Sequence, residues 1–196
     1  MADCTGKITA DILKDCDYLP VGGLELDVVL INEDDINRDA VTFDNANRLK
    51  MTNLQLKSGK TGYKISGVKQ SNGKRYELVK KENAPDKFKQ FFSGVVFAPS
   101  AANKLQLANL TVGARYIVVV EQKWKGASNA EAFEVLGYNS GLELATLTNN
   151  SRESDNAILF ELASPDGYEE PNPPYTLLET SYAATKTLFT NKFIEA

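Results

Sequence analysis

Four residues in the middle of the chain, Ser58-Gly59-Lys60-Thr61, have the types and order that end a phosphate-binding loop. Such a loop cradles phosphate oxygens with backbone N–H groups; it needs a glycine five residues before Gly59, a strand before it and a helix after. Position 54 is Leu54 and the residues that follow read as a strand, so the stretch is expected to be a turn. Asp11, Asp15 and Asp17, with Glu25 downstream, offer hard oxygen ligands suited to calcium. Leu19 stands where another oxygen is needed, however, and Pro20 where such a loop needs glycine. Cys4 and Cys16 read as free thiols, because the chain has no histidine and too few ligands for a zinc site. The absence of histidine also removes every Ser-His-Asp or Cys-His arrangement. Carboxylates and lysines remain, but no paired-carboxylate motif stands out. The expectation is a protein without catalysis, cofactor or metal.

Asn109-Leu110-Thr111 and Asn149-Asn150-Ser151 match the glycosylation sequon, which matters only on a secretory route. The start, residues 1–7, has no apolar stretch behind a basic one. The longest apolar run, Ile117 to Val120 extended by Tyr116, is far too short to span a bilayer. A soluble protein with no membrane anchor, folded in a cytoplasm, is expected.

Charge is unevenly spread along the 196 residues, although the net is only −4. Residues 1–44 hold eleven acids and three bases, a balance of −8. Residues 57–81 hold eight bases and one acid, a balance of +7, and residues 121–196 return to −7. A basic segment between acidic ones implies electrostatic docking within the molecule or between copies, or else a solvated lysine-rich hairpin. Tyr63 and Tyr76 in the basic segment have the makings of a nucleic-acid surface. The net acidity and the small size of the patch argue against specific binding.

The elements that would position these groups are mostly strands. Residues 24–31 (LELDVVLI) open with period-two alternation after the Gly22-Gly23 turn. Residues 49–57, 63–69 and 75–79 read as strands joined by turns at 58–62 and at Asn72-Gly73, a basic β-meander over 57–81. An aromatic strand over 88–97 leads to a helix near 100–110, with Ser100 as N-cap, Ala101, Leu105 and Ala108 on one side, and Gly113 as its end. Residues 114–124 form an apolar strand covered on both faces. Residues 131–138 and 142–148 pair across the turn Asn139-Ser140-Gly141. Strands over 157–162 and 175–182 follow, with a proline-rich acidic loop between them. Residues 1–20 and 184–196 read as terminal arms, the latter free to pack on its own domain or on a neighbour. About nine or ten strands with one flanking α-helix make a single, mainly β domain over 1–196, a β-barrel or sandwich.

Several strands carry acids on the side opposite their apolar residues: Glu25 and Asp27, Glu134, Glu143 and Glu161. If these strands pair, one face of the sheet is oily and the other is lined with carboxylates. That is either an ordinary solvated face or a surface that touches a polyanion without holding it.

The stretches 113–124 (GARYIVVVEQKW), 131–144 (EAFEVLGYNSGLEL), 160–164 (FELAS) and 174–180 (PYTLLET), together with the N-terminal region 8–36, resemble tail tube-type proteins of bacteriophages and prophages of gut Bacteroidetes. The resemblance implies a virion protein of the tail, assembled in the bacterial cytoplasm. Six subunits would form a ring, and stacked rings a tube that conducts DNA without specific binding and joins other tail proteins. A single-ring hub or adaptor subunit is a related alternative. A host-attachment module that binds glycans through exposed aromatics such as Trp124 is a more distant one. Within the tail tube reading, Glu25, Asp27, Glu134, Glu143 and Glu161 are candidates for the lumen. Lys64, Lys69, Lys74 and Arg75 are candidates to reach Glu33, Asp34 and Asp35, or Glu169 and Glu170, of the next ring.

Overall fold

A computed structural model describes residues 8, 10–13, 17–68 and 70–194. Cys4, Asp15, Cys16 and Lys69 therefore lie outside the described residues. Eleven strands follow in chain order: β1 (Leu24–Asn32), β2 (Thr42–Phe43), β3 (Lys50–Asn53), β4 (Tyr63–Ser66), β5 (Gly73–Val79), β6 (Lys87–Val96), β7 (Tyr116–Gln122), β8 (Phe133–Leu136), β9 (Glu143–Asn149), β10 (Ile158–Ala163) and β11 (Tyr175–Leu177). Two helices accompany them, α1 (Ala101–Asn109) and α2 (Tyr182–Thr190). Seven strands form one sheet in the order β2-β3-β11-β8-β7-β1-β4, and four form a second in the order β5-β6-β10-β9. The architecture is mainly β, a sandwich rather than a closed barrel.

The apolar runs of β1 and β7 are buried on both faces because two different layers cover the larger sheet. Val28, Leu30, Val118, Val120 and Leu136 meet Phe92, Phe160 and Leu162 of the second sheet. Their chain neighbours Val29, Ile31, Ile117, Val119 and Val135 point the other way. That side is closed by Phe189 and Phe193 at the C-terminal end and by Met51, Leu54 and Leu56. Period-two geometry sends adjacent residues to opposite faces, so a run with no alternation needs a cover on each.

The C-terminal segment packs on its own domain, the first of its two expected placements. Ser181 caps α2 by accepting from the Ala184 N–H at 3.2 Å, and Phe189 and Phe193 bury themselves in the core. The expected strand over 175–182 stops at Leu177, where the chain turns into this cap. Helix α1 starts at Ser100 as expected, its hydroxyl accepting from the Asn103 N–H at 3.2 Å. Its buried side is different: Leu107 and Leu110 enter the inter-sheet core while Ala101, Leu105 and Ala108 face solvent. Two leucines bury more apolar area than one leucine and two alanines, and that decides the rotation of a short helix.

Three expected hairpins are absent: β3 and β4 do not pair across the turn at 58–62 but lie toward opposite sides of the larger sheet, and the other two are crossings between sheets. β4 pairs with β1 and β5 with β6, so the basic meander is split between the sheets. The reason lies in residues 67–72. The Gly67 N–H and the Asn72 side-chain amide both donate to the Leu26 carbonyl, at 2.7 Å and 3.0 Å. Asn72 is thereby a buried tether and not half of a tight turn. The second crossing runs from β8 to β9, which pairs with β10. Gly137 adopts φ +71°, and a Cβ there would lie 2.8 Å from Leu142 Cγ and 3.0 Å from the Tyr116 carbonyl. Its N–H donates to the buried side-chain oxygen of Gln90 at 2.9 Å, which carries the chain toward the second sheet.

Candidate functional site

The second sheet has one face in the core and one partly open to solvent, on which Leu159 is 41% exposed while Phe91 and Ala163 are buried. Phe92, Phe160 and Leu162 point inward, so Phe91, Ser93, Leu159, Glu161 and Ala163 point out. The register then places Arg75 and Glu77 of β5, and Glu143, Thr146 and Thr148 of β9, on the same outward face. At its centre Arg75 donates to Glu161 at 3.0 Å and lies 3.5 Å from the centroid of the Phe91 ring. Ser93 donates to the same carboxylate at 3.1 Å. Near one end, Arg115 donates to Glu143 at 3.0 Å, and Lys89 pairs with Asp166 at 2.6 Å. The face mixes carboxylates with cations and has no strong net field.

The two edges of this sheet are β5 and β9, each seven residues long. All three pairings across the sheet are antiparallel, so β5 and β9 run in opposite directions. Among the described residues neither has a second strand partner. Their outer N–H and C=O groups are a template for another strand.

The five acids read as one face are divided among three places. Glu143 and Glu161 lie on the outward face just described. Glu134, on β8, points between the sheets, where it pairs with Lys74 of β5 and accepts from the Gln122 side chain at 2.9 Å. Glu25 and Asp27 belong to the side that α2 covers; Asp27 pairs with Lys64 at 3.1 Å and Glu25 with Lys125 at 3.4 Å. The basic segment therefore docks on its own chain, strand by strand, which accounts for the segregated charge without a neighbour. The acidic loops are also engaged internally. Glu33 pairs with Arg38 at 2.9 Å and Asp35 with Lys60 at 2.9 Å, while the Asp34 carbonyl accepts from Lys57 at 2.6 Å. Lys60 thus belongs to an ion pair inside a turn followed by strand β4, and no helix N-terminus is there to cradle phosphate.

Glu169 and Glu170 are buried beside the crossing from β8 to β9. Lys81 donates to Glu169 at 2.8 Å, and this bond holds the carboxyl down to about 2. Glu170 accepts from the backbone N–H groups of Asn139 and Ser140, at 3.1 Å and 2.8 Å, and from the Asn139 side chain at 2.7 Å. Burial nonetheless pushes its pKa above the usual carboxylate range.

Sequence reasoning missed a second deeply enclosed carboxylate, Glu121, which is 1% exposed on β7. It accepts from Lys125 at 2.8 Å, from the Tyr182 hydroxyl at 2.7 Å and from Lys186. Burial alone would raise its pKa; the three hydrogen bonds more than offset that and hold it below the ordinary value. Two donors come from α2, so this cluster clasps the helix to the sheet. The one available signal was a lone acid in an otherwise apolar strand. Trp124 is half-buried and its indole N–H donates to the Tyr18 carbonyl at 2.8 Å, anchoring the N-terminal segment.

No helix of the described residues is long and apolar enough to cross a membrane. No family model matches the chain, and neither the curated proteins nor the solved structures contain a match.

Proposed function

We propose that this protein is a structural subunit of a bacteriophage tail, of the tail tube type, whose copies form a ring around a channel for DNA. One observation carries the reading beyond the sequence resemblance: a four-stranded antiparallel sheet with a partly open outer face and two equally long, oppositely directed edges that have no second strand partner among the described residues. Cyclic repetition sets β5 of one copy beside β9 of the next in the antiparallel sense, so the ring closes without breaking the alternation of strand direction. Such an interface is heterologous and also removes the exposed edges. Six copies, the number the resemblance implies, give roughly 24 strands; at normal strand spacing and tilt the barrel is about 40 Å across between backbones. That leaves room for duplex DNA after side chains are subtracted.

In this arrangement the outward face with Arg75, Glu77, Glu143 and Glu161 lines the channel. Its charge is close to balanced through the Arg75–Glu161 pair, so phosphates passing by are neither gripped nor strongly repelled. Glu25, Asp27 and Glu134 lie away from the lumen. The test is electron microscopy of the purified protein with light scattering for mass. Rings with a central hole are expected. Proline at Leu147 or at Thr148 should abolish them in one of the two cases, because adjacent residues point their N–H groups to opposite sides of the strand. A monomer at every concentration, or rings indifferent to both prolines, would overturn the proposal.

A further inference from the structure

An amine, a carboxylate and a carboxamide converge between the two sheets, at the rim of the inter-sheet core. Lys74 stands opposite Phe92 in the β5–β6 register and shares its inward face. Glu134 stands opposite Val120 in the β7–β8 register. Gln122 is two residues further along β7, on the same face as Val120. Phe92 and Val120 are both buried in the inter-sheet core. Apolar side chains are the ordinary occupants of such positions.

One carboxylate holds the other two groups. Glu134 accepts from Lys74 Nζ on Oε2 and from Gln122 Nε2 on Oε1, the latter at 2.9 Å. The same amide nitrogen donates to the Glu131 carbonyl at 3.1 Å, which fixes the carboxamide. The side chains of Lys74 and Glu134 are each only 17% exposed. Hydrogen bonds of ordinary length to the two oxygens of one carboxylate hold the amine and the amide nitrogen about 5 Å apart. Rotation about side-chain bonds closes the rest of the way to about 3–3.5 Å, the distance from which attack occurs.

Burial draws the Lys74 ammonium down to about 8. A share of the amine is therefore neutral, and so nucleophilic, near neutral pH. The proton it releases has a receiver already in contact, the Glu134 carboxylate. A group that can take a proton from the attacking atom and hand one to the leaving atom is a general acid and base in position.

We propose that Lys74 and Gln122 join in an amide bond, with Glu134 as the catalytic acid and base, and that this bond ties the two sheets together covalently. Lys74 passes a proton to Glu134, and its neutral amine attacks Cδ of Gln122. A bond forms from Nζ to Cδ, and the bond from Cδ to Nε2 breaks. Glu134 relays a proton from the attacking nitrogen to the leaving one. Ammonia departs as ammonium, carrying the proton that Lys74 first gave up, and Glu134 is again a carboxylate. No oxidant, cofactor or second protein is consumed. The bond closes a loop through β5, β6, α1 and β7, so the sheets cannot be drawn apart without breaking it. It forms within one chain and does not depend on the ring.

The test is the intact mass of the full chain under denaturing conditions, after incubation in the folded state at a pH near the Lys74 value. The wild type is expected one ammonia below the mass of its sequence. Its tryptic digest should contain residues 70–75 joined to residues 116–123. Lys74→Arg keeps a cation beside Glu134, and Glu134→Gln keeps the volume of that side chain. Each should show the full mass and no joined peptide, with urea unfolding to confirm that it folds. Folded wild type that keeps the full sequence mass would overturn the proposal. Loss of water would overturn it too, since that marks an amide between Lys74 and Glu134. So would loss of ammonia without a joined peptide, as ring closure at Asn72-Gly73 gives. A joined peptide formed equally fast in Glu134→Gln would overturn the role of Glu134.

Discussion

Substituting Glu121 should release α2. The carboxylate is buried at the centre of the helix-facing side and accepts from Lys125, Lys186 and Tyr182. Glu121→Gln keeps its volume and removes its charge. Each hydrogen bond to a charged group is worth about 1.5–3 kcal/mol, and breaking a buried pair costs about 3–5 kcal/mol. Lys186 is 42% exposed and Lys125 retains Glu25 at 3.4 Å, so both cations keep some stabilisation. The expected loss is therefore at the low end, about 3 kcal/mol. For a chain of this size that lowers Tm by about 6–12 °C. Thermal and urea unfolding would measure it, and a double-mutant cycle with Lys186→Met would isolate the pair, with an expected coupling of about 1 kcal/mol or more. Limited proteolysis should cut first within α2 in the variant. A change of less than about 0.5 kcal/mol, with no new cleavage, would refute the clasp.

Four further outcomes follow from the same geometry. Phe189→Ala should cost about 3–5 kcal/mol in urea unfolding, because that ring covers one face of the larger sheet. Gly137→Ala should cost about 1–3 kcal/mol, since it forces a side chain into a positive-φ position already crowded by Leu142. Reversing Lys74 to Glu sets two carboxylates together between the sheets and should lower Tm markedly; the exchange K74E/E134K should recover part of that loss in the same melt. Glu121 and Glu169 have depressed folded pKa values, so their stabilisation is complete above about 4.5 and is lost as pH falls, for Glu169 through about 2. Glu170 has the opposite sign: its raised value makes folding less favourable as pH climbs through it. A Glu170→Ala variant should therefore show a flatter stability profile just above the ordinary carboxylate range than wild type, read by urea unfolding at stepped pH.

Local signals in the sequence determined a good deal. Alternation and β-branched runs located most strands, Ser100 marked the start of α1 although the helix ends at Asn109 and a 3-10 turn intervenes before Gly113, and the unbroken apolar stretch of β7 implied cover on both faces. Three things were decided only by tertiary structure. Strand partners were one: Asn72-Gly73 and Asn139-Ser140-Gly141 carry the residues of tight turns, yet buried bonds from Asn72 to Leu26 and from Gly137 to Gln90 turn both into crossings between sheets. The side of α1 that is buried was another, because Leu107 and Leu110 compete with Leu105 for a core that exists only after the sheets have packed. Charge pairing was the third. Segregated acids and bases along the chain are equally compatible with docking inside a molecule or between copies, since Coulomb attraction depends on distance in space and not along the sequence. The fold brings Lys64, Lys74 and Arg75 to Asp27, Glu134 and Glu161, 37, 60 and 86 residues away.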